Sequence, residues 1–455
     1  MTDDPTPNPT PDATTDRQRR RDLARECIEA GVAAADPERA VGDQLRLDGD
    51  ELRVGETTVD LADYDRVLVL GGGKASAAVA RGLESVLGDR IDDGLVVTDG
   101  DDDSHRVEVR VADHPVPSQR NVDATDRIVS LLDEADDRTL VLAPVTGGGS
   151  ALLAAPTIPL DDFRDLTDAL VESGATIHEI NAVRKRLSRV KGGGLAERAA
   201  PATVVALLVS DVVGDDPGII ASGPFTPDET SAGEALDVLD RHDVDASDEA
   251  REAIADASPA TGPFEHVHVH MLTTARTAID AAADRASEAG YDPLILSSRM
   301  RGEARENALA HVAVAEEARA TGDPAAPPLA LLSGGELTVT VRGDGEGGPN
   351  LEFALAAALE LPDGTTLASV DTDGRDGGTD VAGAVVDSAT LRESGADGDA
   401  DAISSAAEGR ERARSALASN DALPLLSECD ALLSVESATN VNDLRVVLVD
   451  PPASG

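Results

Sequence analysis

Three lysines stand in this chain against thirty-six arginines, and all three lie beside or just upstream of a glycine triplet. Lys74 follows Gly71-Gly72-Gly73, Lys191 precedes Gly192-Gly193-Gly194, and Lys185 lies six residues before Lys191. Arginine replaces lysine well on a solvated surface. A compact point charge on a flexible stem is better suited to meeting a phosphate in a narrow loop. The pattern predicts that Lys74 and Lys191 touch an anion.

A second triplet, Gly147-Gly148-Gly149, ends in Ser150 and repeats the arrangement with a hydroxyl in place of the ammonium. Flexible glycine amides at a helix start form an anion nest. Two such nests favour a phosphoryl compound over either alone. The stretch 181–191 holds five cations and no acid. If helical, it places Asn181, Arg184, Ser188 and Lys191 on one face, with Lys185 at its edge and solvated. Such a face would hold a substrate carboxylate or a phosphate; a basic surface helix is the plainer alternative.

Acids gather where apolar runs end: Asp211 after Thr203–Val209, and Asp371, Asp373 and Asp376 after Thr366–Val370. The second group fails as an EF-hand loop, since Arg375 takes the fifth position and Ala382 the twelfth. Magnesium held by one or two carboxylates plus phosphates remains open to Asp211, Asp373 and Asp376. Asp and Gly are also ordinary turn residues. His266, His268 and His270 alternate with valines, which reads more readily as the wet face of an edge strand than as zinc ligands. His114 sits in a loop after Arg106–Val111 that could enter a cleft. Gly71 to Ser76 fits the dinucleotide pattern G-x-G-x-x-G poorly, because Ser76 replaces the third glycine. It is no Walker A loop either.

To hold these groups the chain repeats one device: a short apolar run, then glycines or an acid, then an alanine-rich helical stretch. Continuous apolar strands alternating with helices predict an α/β fold with mainly parallel sheets covered on both faces. Ligands then bind at the carboxyl ends of the strands. An acidic, alanine-rich stretch from Asp228 to Glu265 marks the expected boundary. Residues 1–16 read as a disordered acidic tail, 17–245 as a Rossmann-like N-terminal domain and 262–455 as a second α/β domain. Cys27 and Cys429 have no metal spacing.

Acids outnumber bases 87 to 39, and the net charge is −48. At ordinary ionic strength that surface repels itself, whereas at molar salt the Debye length falls to about 3 Å. Few lysines and many carboxylates predict a salt-adapted, halophilic cytoplasmic protein. A hydrophobic share of 41% argues against a disordered acidic chain. The charge argues against nucleic acid or an anionic membrane as partner. No apolar run approaches the roughly 20 residues of a membrane helix.

The ordered set GGGKAS (71–76), DHPVPS (113–118), GGGSALL (147–153), NAVRKRLSRVKGGGLA (181–196), SDVVGDDPGIIASGP (210–224), LLSGGELTV (331–339), DTDGRDGGTDVAGA (371–384) and TNVNDLRV (439–446) resembles the glycerate 2-kinase family with a C-terminal MOFRL domain. Members of that family were often labelled hydroxypyruvate reductases. The resemblance implies ATP- and Mg²⁺-dependent phosphorylation of the 2-hydroxyl of D-glycerate, in a cleft between two α/β domains. It makes Lys74 the essential lysine. Asp211 and Asp373 are catalytic or metal-binding candidates, and Gly71–Gly73, Gly147–Ser150, Lys191 and Asn440 are phosphate-binding candidates. Arg184, Asn181 and Ser150 are candidates for substrate binding. The chain departs from the family at Pro349, where many members carry arginine, and at Val435–Ala438, where glycines are usual. An NAD(P)H-dependent reductase and a relative with an altered acceptor are the alternative readings, and homodimerisation is left open.

Overall fold

The computed structural model describes residues 13–100, 104–258, 260–392, 405–436 and 439–452. The chain forms two compact units. The first runs from Ala35 to Thr274, with a short return ending at Val441. The second gathers the helix Ala13–Ala34, the chain from Ala275 onward and the segment from Asn442. The acidic stretch expected to divide the domains lies inside the first unit, as the helices Ala232–Arg241 and Asp248–Asp256. Of the expected tail, residues 1–12 lie outside the described residues and 13–16 begin the first helix.

In the first unit, β1 (Leu45–Asp48), β2 (Glu51–Val54) and β3 (Thr57–Asp60) form an antiparallel meander. The main sheet contains β4 (Arg66–Gly72), β5 (Asp93–Thr98), β6 (Glu108–Val111), β7 (Thr139–Thr146), β8 (Thr203–Val209) and β9 (Val267–Thr273). Its order is β6-β5-β4-β7-β8-β9 and every pairing is parallel. β7 is buried at all eight positions, as expected of a strand covered on both faces. β9 is the edge strand anticipated from its histidines. His266 Nε2 hydrogen-bonds Ala196 O at 2.9 Å and His270 Nε2 hydrogen-bonds Gln44 Oε1 at 2.9 Å.

In the second unit, β10 (Asp292–Met300), β11 (Leu329–Gly335), β12 (Thr365–Asp371), β13 (Gly383–Asp387), β14 (Leu432–Leu433) and β15 (Asp443–Val449) form a sheet of order β10-β11-β15-β12-β13-β14. Here the expectation of a mainly parallel sheet is corrected. Only β10 and β11 are parallel; the other four pairings are antiparallel. A fully buried strand reads as an apolar run whichever way it points, so composition carried no information on direction. The helix Pro349–Ala358 is buried from Asn350 to Ala358. Pro349 suits its first position, where no amide is needed and φ is already helical.

Candidate active site

Of the three glycine triplets, Gly71–Gly73 and Gly147–Gly149 meet in the first unit. β4 and β7 are paired neighbours, so the loops at their carboxyl ends lie side by side. The Lys74 amide donates to Gly147 O at 2.8 Å, and the Ala75 amide donates to Thr146 Oγ1 at 3.0 Å. The Gly73 amide goes to Val97 O and the Ser76 amide to Gly73 O. Gly71 and Gly72 lie within β4, paired with Val96 and Val97. The amides from Gly73 to Ser76 are thus committed, and the first triplet is no backbone nest. What it offers an anion is the Lys74 ammonium.

The second triplet is different. Among the described residues the amides of Gly148, Gly149 and Ser150 donate to no protein acceptor. Gly147 is required because a Cβ there would stand 2.0 Å from Asp211 Oδ2. Gly148 has φ +76°, and a Cβ would meet Lys74 Cγ at 3.0 Å and His114 Nε2 at 3.2 Å. One loop is therefore flanked by an ammonium stem, an imidazole and a carboxylate. Burial pushes the Asp211 carboxyl above its usual range, with its own amide and Lys74 opposing. Burial, then Lys74, lowers His114, while Asp99, 3.9 Å from its Nδ1, works the other way.

His114, Gly148, Ser150, Asp168 and Arg184 line a pocket of about 310 Å³. Arg184 reaches it from the last turn of the helix Ile177–Arg186, which opens with a Thr176–Glu179 capping box. Burial lowers the Arg184 pKa, and Asp168 opposes it. A guanidinium left with an open fork in a pocket suits a bidentate carboxylate. Ser150 Oγ lies 2.7 Å from Ser222 Oγ, which donates to Asn181 Oδ1 at 2.9 Å. Asn181 is buried and does not line the pocket; its Oδ1 accepts Ser222, and among the described residues its Nδ2 has no hydrogen-bond partner. Ser222 sits with φ +62° between Ala221 at +51° and Gly223 at +66°. Non-glycine residues held there cost about 1–3 kcal/mol each and cluster at functional sites. Sequence reasoning passed over Ser222 and kept His114 only as a loop residue. The Ser-Gly-Pro turn was the available signal for the first.

The helix ends at Arg186, so Ser188 and Lys191 do not continue the face that carries Arg184. Ser188 Oγ accepts the amides of Val190 and Lys191 and folds the chain into a turn. Lys191 is 4% exposed and donates to Leu153 O at 2.9 Å. Burial, then Arg184, lowers its pKa to about 7. Lys185 is not solvated either: its side chain is 10% exposed, with Nζ 3.8 Å from Asp228. Both lysines line a separate cavity.

The second unit has its own acidic centre. Asp376 accepts the amides of Asn350 (2.9 Å) and Leu351 (2.8 Å), one on each oxygen, and so caps the buried helix Pro349–Ala358. A buried helix N-terminus must find acceptors for its amides, and Asp376 supplies two of them. Burial pushes its carboxyl up to about 6, opposed by those amides. Asp371, not selected from sequence, is pushed up to about 8 by burial, then by Asp373 and Asp443. Asp373 accepts the Arg375 amide at 2.9 Å. Asn440 lies in the short segment ending at Val441. Among the described residues no group of three or more His, Cys, Asp or Glu is placed to hold a metal.

A family model described as a domain of unknown function, DUF4147, matches residues 23–255, and the MOFRL family model matches 329–443. D-glycerate 2-kinase of Thermotoga maritima is 36% identical over 437 residues, covering 94% of this chain and 98% of the relative. The chain belongs to the glycerate 2-kinase family. A second relative, named putative hydroxypyruvate reductase, from Agrobacterium vitis, is 37% identical and covers 94% of each chain. The crystal structure of the Thermotoga maritima glycerate kinase matches with a TM-score of 0.83 at 35% identity, over 95% of this chain and 100% of that one.

Proposed function

We propose that this protein transfers the γ-phosphoryl group of ATP to the 2-hydroxyl of D-glycerate, giving 2-phosphoglycerate and ADP. The observation that carries this reading within the family is the open Arg184 guanidinium in a pocket beside Ser150, Asp211 and Lys74. Arg184 binds the acceptor carboxylate, and the free amides of Gly148 to Ser150 hold oxygens of the acceptor or of the phosphoryl group. The acceptor oxygen forms the new O–P bond and the bond to ADP breaks. Asp211, whose raised pKa makes it a better proton acceptor than an ordinary carboxylate, takes the hydroxyl proton. Lys74 neutralises charge on the transferring group, since phosphoryl transfer depends mainly on positioning and charge.

Mg²⁺ fits this chemistry as a cation needing one or two carboxylates besides the phosphates, whose charge it would neutralise. Asp211 in the first unit or, alternatively, Asp373 in the second is its candidate ligand. Asp376 is a third candidate: its Oδ2 accepts one helix amide and keeps a lone pair.

The reductase reading is weaker on structural grounds. A dinucleotide fingerprint binds pyrophosphate through free loop amides, and here those from Gly73 to Ser76 are all bonded. Purified protein given ATP, Mg²⁺ and a panel of hydroxy acids should consume ATP only with D-glycerate or a close analogue. NADH oxidation with hydroxypyruvate, and no ATP consumption with any acceptor, would replace the kinase by the reductase.

The reading includes a cytoplasm rich in salt; among the described residues no helix is long and apolar enough to cross a membrane. The −48 charge predicts loss of activity and a lowered thermal transition on dilution to tens of millimolar salt, where the Debye length exceeds about 10 Å. A transition unchanged across that series would remove the halophilic assignment.

A further inference from the structure

The cavity that takes in Lys185 and Lys191 is unexplained by the transfer reaction. Its volume is about 210 Å³, and its wall includes Thr157, Lys185, Arg186, Ser188, Lys191 and Asp228. It shares no lining residue with the pocket of Arg184. We propose that it is a second oxyanion site, holding inorganic phosphate or the phosphate group of a small phosphomonoester.

The charges in the cavity do not balance. Asp228 is used by Arg186, at 2.9 Å, and by the amide and hydroxyl of Thr230. Lys185 stands 3.8 Å from the same carboxylate, too far for a hydrogen bond. Lys191 is buried with a single backbone carbonyl as its acceptor, leaving two of its three donors without a protein partner in the hydrogen bonds formed. Arg186 is 3% exposed, and among the described residues its Nε has no hydrogen-bond partner. The lining thus holds four basic residues, of which Arg189 pairs with Asp126 outside it, against two carboxylates, the already engaged Asp228 and the exposed Glu197. Buried charges are ordinarily paired and buried donors bonded, so the arrangement lacks an anion.

Size and chemistry narrow the class. A water takes about 30 Å³ of liquid, so the cavity has room for a group larger than chloride. A dianionic oxyanion offers several acceptors at once, matching the Lys185 and Lys191 ammonium groups, the Arg186 edge and the hydroxyls of Ser188 and Thr157. A monocarboxylate would leave at least one cation unmatched. Such a site also makes sense of the lysine distribution, because in a chain this acidic a polyanion needs a local cluster of positive charge. The helix Ile177–Arg186 presents Arg184 to one pocket and its next two residues, Lys185 and Arg186, to the other, so the two cavities share one helix end.

Equilibrium dialysis of the full chain with labelled inorganic phosphate, at fixed molar KCl and without ATP, reads the site independently of any kinase activity. One phosphate should bind per chain, saturably, and excess D-glycerate should not displace it. Lys185→Met and Thr157→Glu should each weaken binding at least tenfold, while Lys185→Arg retains it. Thr157 is exposed, so its variant keeps the test valid if Lys185→Met fails to fold. Competition by glycerol 2-phosphate would identify a phosphomonoester as an admissible ligand; its failure would confine the site to free phosphate. Absence of saturable binding, displacement by D-glycerate, or binding that both weakening variants leave intact would overturn the proposal.

Discussion

Lys74→Arg should lower turnover by about two orders of magnitude, the scale seen when one preorganised electrostatic group is lost. The charge is kept, so the loss would come from shape. The Lys74 backbone is pinned to Gly147 O, and its stem runs past Gly148, where even a Cβ would come within 3.0 Å of Cγ. A planar guanidinium needs more width than that channel leaves and cannot place its charge where an ammonium does. The thermal transition should stay near that of the parent, since Lys74 is only half-buried and makes no side-chain hydrogen bond that holds the fold. Lys185→Arg is the matched control. It lies in the other cavity, away from the acceptor pocket, and its turnover should change little. Equal and small effects on turnover would remove Lys74 from the chemistry.

The rarity of lysine was enough to find Lys74, and strands ending in glycine were enough to place it at the carboxyl edge of a parallel sheet. The use of each glycine could not be read the same way. Gly71 to Gly73 and Gly147 to Gly149 look alike in sequence, yet only the second loop keeps free amides, because the first donates to its neighbours across β4 and β7. That distinction depends on which strands are adjacent. Local chemistry misled at Ser188, whose hydroxyl ended a helix that the spacing of basic residues had extended to Lys191. The amides that Asp376 accepts, from a helix twenty-six residues earlier in the chain, could not be read from its place at a strand end. The direction of β12, β13 and β15 was equally hidden, for apolar composition is the same in either sense.

The buried pair at the start of β15 sets the largest expected effect on stability. Arg445 is fully buried, its guanidinium 5.0 Å above the Phe353 ring, and Asp443 accepts its Nη2. Asp443 also accepts Asn350 Nδ2 at 2.7 Å and the Leu337 amide at 3.2 Å. Among the described residues Nε and Nη1 of Arg445 have no hydrogen-bond partner, and Asp443 is its one ion-pair partner. Asp443→Ala leaves a buried cation unpaired, which costs about 3–5 kcal/mol. An opposing effect exists: Asp443 raises the Asp371 and Asp376 carboxyls, and its removal relieves that repulsion. It is smaller, because Asp443 comes after burial and Asp373 among the causes acting on Asp371. At roughly 2–4 °C per kcal/mol for a unit of this size, the transition of the second unit should fall by about 10 °C at fixed salt. The double variant Asp443→Ala/Arg445→Met should recover most of the loss, since replacing both partners by apolar groups is often neutral or stabilising. A single variant within about 1 kcal/mol of the parent, or a double variant no better than the single, would mean that the Arg445 charge is compensated by something other than Asp443.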